Sequence, residues 1–127
     1  MTWLPRVATG TRPLDHVFGL RPDAYARFLE LYEGLVSADV DAATLELCRR
    51  SVFALLRQEQ SGVEALDDAQ QAAVVFAEQY VLDPHALTDA DFERLHRFYD
   101  DAQIATLVLA VAMFDARARF EVALEVS

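Results

Sequence analysis

The chain contains no lysine. All eleven of its basic side chains are arginines, set against 21 acidic residues, for a formal net charge of −10 across 127 residues. A field of that sign repels phosphate backbones and anionic bilayer surfaces, which argues against nucleic acid or membrane as partner. There is one cysteine, Cys48, so no internal disulfide is possible. Long apolar runs are missing too. The longest, Leu107 to Phe114, falls far short of the ~20 residues that cross a bilayer. Met1 to Arg6 lacks the basic start and apolar stretch of a secretory leader. Together these absences point to a soluble cytoplasmic protein. Four glycines and four prolines leave little punctuation, and no segment alternates with period two long enough for a strand.

What is abundant is apolar: 54% of residues are hydrophobic, too many for a disordered chain. A chain of this length buries about two-thirds of its unfolded surface, enough for a core without staples. We read a single all-α domain over 1–127, with 1–20 as an N-terminal arm lying across the domain or a neighbouring subunit. Pro5, Gly10, Pro13 and Gly19 interrupt that arm too often for a long helix, while Trp3, Leu4, Val7, Leu14, Val17 and Phe18 make it too apolar for a free tail.

Five helices are expected. The first starts near Pro22, with Asp23 in its first turn and Tyr25, Phe28, Leu29, Tyr32 and Leu35 along one face. Asp41 is placed to cap the second, whose stripe is Leu45, Val52, Leu55 and Leu56 and which fades near Gln60 to Gly62. Asp67 and Gln70 make a capping box for the third, with Ala72, Val75, Phe76 and Tyr80 as its apolar face and Asp83-Pro84 as its end. Thr88 caps a short fourth helix. Asp100 and Asp101 open the fifth, roughly Asp101 to Val126, which is apolar on nearly all sides and so belongs in a core or a subunit interface.

The second helix also carries chemistry-bearing residues: Glu46, Arg49, Arg50 and Arg57 lie along AATLELCRRSVFALLRQEQS. That segment resembles the core helix of the carboxymuconolactone decarboxylase family, which includes the alkyl hydroperoxidase D proteins. The stretch from Phe76 to Leu124, with its Thr-Asp turn and long apolar helix, is similar to the family's C-terminal half, and RPLDHVFGLRPDAYARF to its first-helix region. The resemblance implies a compact helical protomer of that fold type, self-associating as a trimer or hexamer, with a site near a subunit contact.

In the redox branch a Glu is followed after eleven residues by Cys-x-x-Cys-x-x-x-His. Here the Glu position is Glu46, but the two cysteine positions hold Gln58 and Ser61 and the histidine position holds Ala65. An amide and an unactivated hydroxyl do not cycle between oxidation states, so peroxidase chemistry is not expected. The resemblance leaves thiol-independent acid–base chemistry on a small organic acid or unsaturated carbonyl compound: decarboxylation, isomerisation or cyclisation. Glu46 would handle the proton if burial raises its pKa, and Arg49 or Arg57 would seat a carboxylate. His16, beside Asp15, is the one histidine considered for the cleft; Gln58, Ser61 and Phe53 would line the pocket. No cofactor or metal is called for, since no two histidines have ligand spacing. The alternative is a non-catalytic oligomer that binds a small molecule or a protein, in which Glu46 merely pairs with Arg50 one turn on. Residual peroxidase activity through Cys48 is the weakest reading.

Overall fold

The computed structural model describes residues 14–36, 39–60 and 66–124, without the side chains of His16 and Val36. Every element among them is helical: α1 Asp15–Phe18, α2 Pro22–Val36, α3 Ala42–Arg57, α4 Asp68–Leu82, a single 3₁₀ turn Pro84–Ala86, α5 Asp89–His96 and α6 Asp101–Ala123. The five expected helices are present. The short α1 and the 3₁₀ turn are additions that the periodicity did not signal, because each is too brief to express one.

Local chemistry sets most of the boundaries. Asp67 accepts from the Gln70 amide at 2.7 Å while the Gln70 side chain accepts from the Asp67 amide at 3.2 Å. Asp100 and Gln103 repeat the arrangement at the start of α6, and Thr88 and Asp91 at the start of α5. Each box satisfies backbone donors that a helix N-terminus otherwise leaves open. Asp41 occupies the predicted cap position of α3, but its side chain makes no capping hydrogen bond; its carboxylate accepts instead from the Thr44 hydroxyl, at 3.4 Å.

α3 stops earlier than its sequence suggests. Gln58 adopts a left-handed conformation (φ 58°), the only positive φ of a non-glycine residue among those described. The amides of Gln58 and Glu59 donate to the carbonyls of Leu55 and Ala54, at 3.3 and 2.8 Å. This pair of crossed bonds is a Schellman closure, which normally recruits glycine because a Cβ is strained there.

α6 is the hub, packing against α2, α3, α4 and α5. Ile104, Leu107, Val111, Phe114 and Ala118 run along its buried face and meet Leu45, Cys48 and Val52 of α3 and Ala73, Phe76 and Ala77 of α4. On α4 the face is rotated from the expected one: Val75 is exposed, and Ala73, Val74 and Ala77 are buried in its place. With small residues on three sides, the sequence left that rotation undetermined, and contact with α3 settles it. α2 lies outermost, its aromatic stripe only half buried. Of the expected N-terminal arm, residues 1–13 lie outside the described residues. Leu14 and Val17 are fully buried in a smaller cluster with Phe18, Tyr25 and Leu124. No helix among the described residues is long and apolar enough to cross a membrane.

Candidate functional site

Glu46, Arg49, Phe53 and Arg57 stand at i, i+3, i+7 and i+11 on α3 and so share one face. Across from that face α2 contributes Tyr32, and α6 contributes Arg117 and Glu121. Tyr32, Arg49, Phe53, Arg57, Arg117 and Glu121 line an open cleft of about 380 Å³. A second recess of about 240 Å³ shares Tyr32 and Arg49 and adds Glu46, Leu45, Ala42 and Phe114. The two form one groove along α3 with Arg49 and Tyr32 at the junction.

Aromatic faces hold the guanidinium groups. Arg49 and Arg57 lie over the Phe53 ring at 5.3 and 5.2 Å, and Arg117 over the Tyr32 ring at 5.0 Å. Such contacts are electrostatically attractive and leave the donor edges of the planar groups to bond in plane, as Arg49 does to Glu46 and Arg57 to Glu121. Glu121 is the buried counter-charge, 6% exposed. Its carboxylate accepts a charge-assisted hydrogen bond from Arg57 Nη2 and sits 3.9 Å from Arg117 Nε. Isolated, such a carboxylate would be costly to bury; two cations make it tolerable.

Glu46 differs from expectation. It is half exposed and gripped by Arg49 through two hydrogen bonds, 2.8 and 2.6 Å. The hydrogen bonding from Arg49, reinforced by the charges of Arg49 and Arg50, outweighs desolvation and holds its carboxyl below the usual carboxylate range. Burial therefore does not raise its pKa, as a proton-donor role requires; Glu46 is an ionised group at neutral pH. Its bidentate partner is Arg49, at i+3, rather than the expected Arg50 at i+4. The group held protonated at the groove is Tyr32, whose phenol is pushed up by burial against the opposing pull of Arg117 and Arg49.

The remaining sequence candidates scatter. Phe53 is in the cleft. Gln58 is exposed and caps α3, roughly 18 Å along the axis from Glu46 at 1.5 Å per residue, and it is not among the cleft's lining residues. Ser61 and Ala65 lie outside the described residues, as does the side chain of His16, whose backbone belongs to α1. Cys48 is fully buried, and burial, with the Glu78 charge nearby, pushes its thiol up to about 12. Such a thiol supplies no thiolate at neutral pH. His96 is exposed at the α5–α6 junction, where Asp101 at 2.8 Å and the Phe92 carbonyl at 2.9 Å raise its pKa. No group of three or more His, Cys, Asp or Glu side chains suited to a metal ion occurs among the described residues.

Arg117 and Glu121 were not singled out as site residues by the sequence, and Tyr32 was read first as a core aromatic. A signal existed: Arg117 and Glu121 stand three and seven residues after Phe114, on the core-facing side of α6, where an ion pair has no ordinary reason to be. A separate groove of about 390 Å³ lies between Phe18, Tyr25, Phe28 and Phe120, with Arg21 its single charged lining residue; it has little with which to orient a ligand. The chain matches no protein-family model, and no curated protein matches it.

Proposed function

We propose that this protein seats a small organic acid in the arginine cleft, as a member of the carboxymuconolactone decarboxylase-like family that has dispensed with the redox cysteines. One observation carries the reading. In a chain of net charge −10 without lysine, three of eleven arginines converge on a single groove, each against an aromatic face. Planar, forked guanidinium groups are suited to a carboxylate. Any proton chemistry in the groove falls to Glu46, ionised, as acceptor and Tyr32, a neutral phenol, as donor, and both shifts run away from neutrality, which makes each weak at that task. Self-association of the protomer belongs to the same proposal.

A second reading, a non-catalytic binding protein, is favoured by one feature: Glu46 is already committed to Arg49. The same titration addresses both. Benzoate added to the wild-type protein should shift the Nε–H resonances of Arg49, Arg57 and Arg117, and Arg49→Gln should weaken its binding about tenfold. Absence of any shift at millimolar benzoate, or equal affinity in Arg49→Gln, refutes the anion site. Turnover of an identified acid that survives both Glu46→Gln and Tyr32→Phe would remove these two residues from the proton chemistry, and absence of turnover with any acid that binds would leave only the binding role.

A further inference from the structure

We infer that Glu121 is the specificity element of this cleft, a built-in carboxylate that makes it a site for singly charged organic acids and turns away dianions. The inference rests on the organic-anion reading above and adds to it the charge class of the ligand. The reasoning is a count of charges. Among the described residues lining the groove, three guanidinium groups face two carboxylates. Glu46 takes the Arg49 fork through two hydrogen bonds. Glu121 takes an Nη donor of Arg57. Arg117, whose Nε is 3.9 Å from Glu121 and whose side chain is 13% exposed, is the surplus cation, held over Tyr32 at 5.0 Å.

The groove therefore offers one net positive charge. A monocarboxylate neutralises it, whereas a second ligand charge has no cation left and faces Glu121 at close range. Because Glu121 is buried at 6% exposure, solvent screens that repulsion poorly. Its place on α6, facing Arg57 of α3, also means that it cannot swing away without breaking its ion pair across the two helices.

The test compares benzoate with isophthalate, the same ring bearing one or two carboxylates, by calorimetric titration at pH 7.5. Wild-type protein should bind benzoate the more tightly. Glu121→Gln, which keeps the size and hydrogen-bonding reach of the side chain, should tighten isophthalate by about tenfold and reverse the order. Arg117→Gln, which removes the surplus charge, should weaken benzoate by a similar factor. A wild type that prefers isophthalate overturns the inference without any variant, as does an unchanged order in a folded Glu121→Gln protein. Benzoate binding that is indifferent to Arg117→Gln does the same. If wild-type protein binds neither probe, the anion-site reading itself falls, an outcome distinct from binding without charge selection.

Discussion

Replacing Arg57 by methionine tests whether the cleft's ion pair is internal or superficial. Glu121 is 6% exposed, and Arg57 supplies its hydrogen bond. Removing one partner of a buried pair typically costs about 3–5 kcal/mol, because a charge is left buried without its counterpart. Two features lower the figure here. Arg57 is 31% exposed, so part of its attraction is already screened, and Arg117 remains 3.9 Å from the carboxylate. We expect a loss of about 2–3 kcal/mol, a fall of roughly 8–12 °C in Tm for a chain of this length. Replacing both residues by methionine removes the uncompensated charge, and the double variant should lie within about 1 kcal/mol of wild type. The gap between the double variant and the sum of the singles is the coupling energy. Urea and thermal unfolding of the four proteins measure it, with unchanged m-values as the check that the same transition is compared. A loss below about 0.5 kcal/mol for Arg57→Met, or simple additivity in the double variant, refutes the buried-pair account. The double variant also bears on the ligand, since it should stay folded, keep the groove's one net positive charge through Arg117 and so still bind benzoate.

Other expectations follow from single features. Glu46 has a depressed folded-state pKa, so its contribution is present above the unfolded carboxylate pKa and is lost as pH falls through the lower folded value. Glu46→Gln should lower stability at pH 7 by a few tenths of a kcal/mol, as for an exposed helix pair, and the deficit should vanish as pH falls through the folded value, which flattens the variant's acid limb. A deficit that appears only on acidification would contradict that sign. Native Cys48 should resist thiol reagents at pH 8 and react fully in denaturant, and Cys48→Ser should not alter hydroperoxide consumption; rapid native labelling would show the thiol is accessible. Gln58→Gly relieves a left-handed side-chain residue and should raise stability by about 0.5–1 kcal/mol in urea melts; destabilisation would mean that the Gln58 side chain contributes more than its backbone strain costs. Asp100→Ala should cost about 1 kcal/mol through loss of the α6 cap, and an unchanged midpoint would show that packing alone sets that boundary.

Much of the architecture is legible in order along the chain. Pro22, Asp67 with Gln70, Thr88, and Asp100 with Gln103 mark helix starts through backbone donors that must be satisfied within three residues, and Asp83-Pro84 marks an end. The all-helical class follows from those signals and the apolar spacing between them. The resemblance carried by Glu46, Gln58 and Ser61 stands as a proposal, because it concerns ancestry, which neither caps nor packing measure. Where α3 stops is a different matter: nothing local forbids the helix from passing Gln58, and the left-handed closure there runs against the residue's own preference.

The site is where sequence reasoning runs out. Helical spacing aligned Glu46, Arg49, Phe53 and Arg57 on one face, but it is silent on what that face meets. Periodicity reports the angle of each side chain about its own helix axis; it holds no information on the rotation of one helix against another. The packing of α6 against α3, set by Leu45, Cys48 and Val52 meeting Leu107, Val111 and Phe114, is what brings Glu121 to Arg57, and the packing of α2 on α6 sets Tyr32 against Arg117. Cap chemistry and spacing were settled within each segment. The convergence of charge from two helices separated by dozens of residues, with an aromatic ring from a third, exists only once the core has closed.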